Sequence, residues 1–362
     1  MTQTINPIQP TLETGPAQVE LLERLCNATA VTGDESEVRA IILDQVKPYA
    51  DEVKVDALGN VLVSRYGKDE KRLRVMLAAH MDEVGFMVVD SEEGGFFRFE
   101  TIGGLDGRVL SGKPVLIGRD HIPGVIGAKP IHLTTADERR RPISIDSMRI
   151  DVSPDAAAKV KIGDRATFAT RFSQVGPSLR AKAFDNRLGV CLLIELVKNA
   201  PASSDLQAAF TVQEEIGARG ARVAAYTFNP DLAIAVDTTP ANDLPAWDQS
   251  ENLWYNARLG AGPAIYLADG STLSDPRLVR HLVETAEALN LPYQFRQPGG
   301  GGTDAGAIHR QREGIPSVSV STPCRYTHTP AGITRLEDWQ NTLRLLHAAL
   351  ARLTPAILAA GQ

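Results

Sequence analysis

Four short apolar runs in this chain each lead into a side chain that can hold a metal ion or move a proton. RLRVMLAA runs into His80, Met81 and Asp82, LQAAFTVQ into Glu214 and Glu215, and LAIAV into Asp237; SVSVSTP reaches His328 after a short loop. Leu73 to Ala79 in particular is a short apolar run of the kind that forms a strand covered on both faces, the habit of an α/β sheet. In such sheets ligands gather beyond the carboxyl ends of the strands. The four runs therefore deliver His, Asp and Glu side chains to one rim. Asp185 adds a further carboxylate at the start of the LGVCLLIELVKN helix.

The rest of the chain fits around that sheet. Helices are expected near Val19 to Asn27, after GDESEV with Val38, Ile41, Ile42 and Val46 inward, and over Pro276 to Leu289 behind Ser274 and Asp275. A last helix is expected behind the capping-box spacing of Thr334 and Glu337. VKVDALGNVLVSRY reads as a hairpin turning at Gly59 and Asn60. From Val89 to about Val175 the texture changes to short alternating runs such as FFRFETIG, PVLIG and RATFATRF, separated by glycine-rich turns. The expected fold is a mixed-sheet α/β/α domain formed by residues 1–88 and 176–362, with a small β-barrel-like domain inserted over residues 89–175. Within the insert, Arg139 to Arg141 read as a solvated loop.

A net charge of −6 argues against a general nucleic-acid or anionic-membrane binder. MTQTINPIQPTLETGP lacks the apolar segment of a secretory signal and reads as a loose tail. No run is long enough to span a membrane. Three scattered cysteines make neither a disulfide framework nor a thiolate metal site, which points to the cytoplasm.

Taken singly, the rim residues are ordinary. A lone His after a strand is usually structural, an Asp at a helix start usually caps it, and paired glutamates are usually solvated. Glu214 and Glu215, however, directly follow an apolar strand, where burial and mutual repulsion are costly without a cation. Two histidines and three carboxylates suit zinc, cobalt or manganese better than calcium or magnesium. His121, His132, His281, His309 and His347 read as structural or exposed. GGGG before Thr303 is no phosphate loop, because no Lys follows at the required spacing.

In order along the chain, AAHMDEVGF, KAFDNRLG, VQEEIGARGA, AVDTT, GGGGTDAGA and RYTHTP closely resemble the M42 aminopeptidases of the MH clan. The resemblance runs from about Leu21 to the last helix. It implies a dinuclear metallopeptidase, of a family often assembled as tetrahedral particles, acting on peptides with a free N-terminus. By that resemblance Asp185 bridges two divalent ions, His80 and Asp237 complete one site, and Glu215 and His328 complete the other. Glu214 becomes the general base and Asp82 the residue that orients His80, while Thr303 and Asp304 support substrate binding. The ions are expected to be zinc, with cobalt or manganese as alternatives. The insert is expected to mediate a dimer-based homo-oligomer, up to a dodecamer. Two rival readings remain at this point: an N-acyl amino acid deacylase on the same scaffold, and a glycosidase using Glu214 with another carboxylate.

Overall fold

The computed structural model describes residues 12–246, 248, 257–297 and 301–359. Its centre is an eight-stranded mixed sheet. Across the sheet the order is Glu52–Val55, Val61–Arg65, Ser204–Thr211, Leu73–His80, Leu232–Pro240, Ser317–Cys324, Ala264–Tyr266 and Gln294–Arg296. The four apolar runs form the four adjacent central strands, all parallel to one another. They are covered on both faces, as expected. Along Leu73–His80, Val75, Leu77 and Ala79 enter one core while Met76 and Ala78 enter another.

The two faces are unequal. One carries the large core and the helices Pro16–Asn27, Ser36–Val46, Phe184–Lys198 and Leu336–Arg352, with Trp339, Leu343 and Leu346 buried from the last. The other is thin and alanine-rich, closed by Arg219–Phe228 through Ala221, Ala224 and Ala225 and by Ile308. Pro276–Ala288 is capped by Asp275, whose carboxylate accepts from the Arg277 backbone N–H at 2.9 Å. The final helix departs from its expected start. It begins at Leu336, and Thr334 lies in the strand Gly332–Arg335 with its hydroxyl donating to the Pro323 carbonyl at 2.7 Å. That strand pairs with Ser178–Ala181, so sheet pairing wins over the local cap. Residues 1–11 of the expected tail lie outside the described residues, and the first helix starts at Pro16.

A closed six-stranded barrel is built from Gly85–Glu92, Phe96–Ile102, Arg149–Asp151, Ile122–Gly127, Pro114–Ile117 and Arg165–Phe168. Phe86 packs edge-on against Phe99 and Phe168 in its core, with ring centroids 5.1 and 5.3 Å apart. Arg139 to Arg141 lie exposed on an outer turn. Among the described residues no helix is long and apolar enough to cross a membrane.

Barrel and sheet are joined through a buried charge cluster. Glu83 accepts from Lys182 Nζ at 2.8 and 2.9 Å, from Arg187 Nη2 at 3.1 Å and from the barrel's Thr167 hydroxyl at 2.9 Å. Burial opposes the Glu83 carboxylate, yet the charges of Lys182 and Arg187 hold it below its usual range. Removing one partner of such a cluster costs about 3–5 kcal/mol, because the remaining charge stays in the interior. Arg187 also donates to the Met81 carbonyl. The cluster thus fixes two of the segments that carry rim residues, His80 to Glu83 and Lys182 to Arg187.

Candidate active site

The register of the central strands decides what meets on the rim. Ala235 is paired with Ala78, which carries Asp237 level with His80 two residues further on. The helix Phe184–Lys198 begins with two residues, Asp185 and Asn186, that are not yet helical, and Asp185 projects over the same rim. Two groups of donor atoms result, with Asp185 common to both. His80 Nε2 lies 3.2 Å from Asp185 Oδ1 and 3.6 Å from Asp237 Oδ1. His328 Nε2 lies 3.5 Å from Asp185 Oδ2 and 3.2 Å from Glu215 Oε2.

These spacings can be tested against a metal. Two ligands held about 2.0–2.1 Å from one tetrahedral ion stand about 3.3 Å apart. That is close to the spacing found on both sides of Asp185. Glu215 Oε1 is buried without a hydrogen-bond partner, an orphan acceptor that a cation would satisfy. The donor set, imidazole and carboxylate without thiolate, fits borderline divalent ions.

Behind the donors lies a set of supports. His80 Nδ1 is 3.0 Å from the Asp82 carbonyl and 3.6 Å from its carboxylate. That carboxylate is mostly engaged elsewhere. It accepts from the backbone N–H groups of Glu214 at 3.0 Å and Glu215 at 3.2 Å and from the Thr32 hydroxyl at 2.8 Å. Asp82 therefore ties the His80 strand to the Glu214–Glu215 turn as well as standing behind the histidine. His328 Nδ1 lies 3.0 Å from the Gly104 carbonyl, so the barrel orients the second imidazole. Gly103 is equally constrained: at φ +79, a Cβ there would meet Val84 at 2.7 Å and Glu215 at 3.3 Å.

The backbone at the rim is held in unusual conformations. Ala183, Gln213, Tyr326 and His328 all have positive φ, between 54° and 63°. Each such non-glycine residue costs about 1–2 kcal/mol, and their clustering beside the chemistry-bearing side chains marks a site.

The electrostatics of the rim are set by burial and by the crowding of its carboxyl groups. Burial, reinforced by the charges of Asp237, Asp304 and Glu215, pushes the Glu214 carboxyl well above its usual range. Burial and Asp185 push Glu215 up to about 8, and burial alone dominates the rise at Asp237. Asp185 goes the other way: burial opposes it, but hydrogen bonds from His328 and His80 hold it below the usual carboxylate range. The histidines respond in kind. Burial works against His328, yet Asp185 and Glu215 raise it to about 9.

His80, Asp185, Glu214, Glu215, Asp237 and His328 open onto one pocket of about 430 Å³, whose further wall includes Pro240, Tyr266, Arg296 and Gly302. Thr303 and Asp304 do not line it. Thr303 is tied to Ser319 at 2.8 Å and Asp304 to Thr211 at 2.6 Å, so both brace the glycine-rich segment from behind. Burial lifts the Asp304 carboxyl to about 7. A second cleft of about 440 Å³ lies where the barrel meets Gly33 and Asp34, away from these donors. His121, His281 and His309 have structural partners in Glu37, the Ala349 carbonyl and the Ala305 carbonyl. Gly104, Thr32 and Arg296 were not expected from the sequence.

The model of the family described as M42 glutamyl aminopeptidase matches residues 59–345. A glutamyl aminopeptidase of Lactococcus lactis is 32% identical, over 92% of this chain and 95% of its own. A lysyl aminopeptidase of Pyrococcus furiosus is also 32% identical, over 93% and 97%. The crystal structure of a TET aminopeptidase from a marine-sediment thaumarchaeon superposes with a TM-score of 0.89 at 34% identity, covering 95% of this chain and 98% of that one. A Pyrococcus horikoshii TET1 peptidase, described as assembling into a tetrahedron or a large octahedral shell, gives 0.80 at 31% identity, covering 93% and 100%.

Proposed function

Because the chain belongs to the M42 peptidase family, and is therefore a peptide-bond hydrolase of aminopeptidase type, we propose that it removes N-terminal residues with two divalent ions and Glu214 as general base. One observation carries the reading: the two oxygens of Asp185 face two different histidines, each with a second carboxylate at similar distance. His80 and Asp237 would hold one ion, Glu215 and His328 the other, and Asp185 both. When bound, the ions would supply the charge that acidifies a water and steadies the oxyanion of the attacked carbonyl.

The chain's own groups do the rest. Glu214 lines the pocket with its Oε2 4.0 Å from His80 Nε2, and its backbone is pinned by Asp82. It would take the proton of the attacking water and return it to the leaving amine. The rim carboxylates would read the substrate's free α-amino group, which makes the enzyme an exopeptidase. Zinc is the ion we favour, ahead of cobalt and manganese.

Chelation tests this directly. Leu-p-nitroanilide hydrolysis should fall by at least about 100-fold after exhaustive chelation and return with Zn²⁺, Co²⁺ or Mn²⁺. N-acetyl-Leu-p-nitroanilide should stay uncut throughout. Persistent activity after the ions are gone, or equal cleavage of the acetylated substrate, would overturn the reading.

Assembly and location follow the same likeness. We take the barrel to mediate a homo-oligomer, on the resemblance to the Pyrococcus horikoshii peptidase, and the three buried free cysteines fit a reducing cytoplasm. Light scattering on the chromatographed protein should give a mass several times that of one chain. A monomer at micromolar concentration contradicts the assembly.

A further inference from the structure

We propose that Thr32 is a positioning residue for the general base, its hydroxyl keeping the Asp82 carboxylate on the backbone of the Glu214–Glu215 turn. The proposal rests on the reading of Glu214 given above. Asp82 is fully buried, and its two oxygens have separate duties. Oδ1 accepts from the Glu214 N–H at 3.0 Å, while Oδ2 accepts from the Glu215 N–H at 3.2 Å and from Thr32 Oγ1 at 2.8 Å. One carboxylate thereby places the backbone of both glutamates. The turn needs holding, because Gln213 just before it has φ +56, a conformation that an L side chain resists.

The same carboxylate has a competing partner. His80 Nδ1 stands 3.0 Å from the Asp82 carbonyl and 3.6 Å from Asp82 Oδ1, a side-chain contact too long for a good hydrogen bond. A rotation of the carboxylate toward the ring would close that gap and draw Asp82 off the turn. The Cβ–Cγ torsion of an aspartate offers little resistance to it. Thr32 holds the other oxygen at full hydrogen-bond distance and so opposes the rotation.

Thr32 is itself firmly held. It is 2% exposed and lies on a short strap beside Glu83, where Val31 and Glu83 form a parallel bridge. Its N–H donates to the Glu83 carbonyl at 3.3 Å, and its carbonyl accepts from Nε of the barrel's Arg165 at 3.2 Å. With both backbone groups engaged, the hydroxyl is aimed by χ1 alone, and a β-branched side chain has few rotamers. The other acceptor within its reach, the Glu83 carbonyl, is at the limit of hydrogen-bond distance at 3.5 Å. The hydroxyl proton therefore goes to Asp82, which as a carboxylate accepts and does not donate.

The test uses the zinc-loaded enzyme and Leu-p-nitroanilide. Thr32→Val keeps the shape of the side chain and removes the hydroxyl. Its kcat should fall about 10-fold, the low end of the loss when an outer partner is removed from a metal site. KM should stay near the wild-type value, since nothing that binds the substrate has changed. Elemental analysis should find wild-type zinc in the variant, and its melting temperature establishes that it is folded. Thr32→Ser, which restores the hydroxyl, should regain most of the lost turnover. The residual kcat of Asp82→Ala should hardly change when Thr32→Val is added, because two residues that act through one contact are not additive. A folded Thr32→Val enzyme with wild-type kcat, a Thr32→Ser enzyme as slow as Thr32→Val, or an undiminished effect in the Asp82→Ala background overturns the proposal. So does activity lost only in proportion to zinc, which would place the effect of the hydroxyl on the ion ligands. Wild-type turnover by Glu214→Gln is a different failure: it defeats the reading of the base, and the role of Thr32 with it.

Discussion

A Glu214→Gln enzyme is expected to take up its full complement of metal and yet turn over Leu-p-nitroanilide about 10³-fold more slowly, within the 10²–10⁴ range of a lost general base. Glutamine preserves the shape of the side chain and leaves the pinning of its backbone by Asp82 untouched. What it cannot do is accept a proton. Burial pushes the Glu214 carboxyl well above the usual range, the direction that makes it a stronger base. The loss should therefore appear in kcat, with KM nearly constant and metal content equal to wild type by elemental analysis. Wild-type turnover in this variant would remove Glu214 from the chemistry.

Asp185→Ala should behave differently and more severely. Asp185 Oδ1 faces His80 and Oδ2 faces His328, so one truncation takes a donor from both groups. Loss of an outer partner of a metal ligand already weakens binding about 10–100-fold; loss of a shared ligand should exceed that at both positions at once. Dialysed Asp185→Ala protein is expected to hold less than half the wild-type metal, with activity below about 10⁻³ of normal. Asp237→Ala and Glu215→Ala each touch one group, and each should deplete a single ion. If Asp185→Ala and Asp237→Ala lost the same amount of metal, the bridging role would be wrong.

The sequence made the centre of this molecule readable because burial on both faces leaves short runs of apolar and small residues, and an acidic side chain or histidine just beyond them stands out. That logic located all four central strands, and with them His80, Glu214, Glu215, Asp237 and, after a loop, His328. It could not reveal partners that act through backbone atoms or over long separations. The Gly104 carbonyl behind His328 is 224 residues away in sequence, and a carbonyl is the same in every residue. Arg296 sits in a three-residue edge strand, too short for any periodic signal, and only the Tyr266 pairing brings it to the rim. Thr334 and Glu337 failed in the opposite sense. Their spacing satisfies a local cap, but pairing with Ser178–Ala181 claims Thr334 for a strand. The helix Arg219–Phe228 went unassigned because its buried face is mostly alanine and glycine, which contrasts weakly with its surroundings.

The contact between Gly104 and His328 changes how separable the two domains are. By sequence and topology the barrel looks like cargo inserted into a complete catalytic unit, a piece that engineering could cut out and replace by a short linker. Chemically it is not detachable. The loop after its second strand supplies the acceptor for one imidazole, and its Thr167 closes the charge cluster beneath the other. A minimal enzyme made by excising residues 85–168 would thus keep all five proposed ion ligands and still hold His328 unaimed. The segment around Gly103 and Gly104 must stay where the histidine needs it.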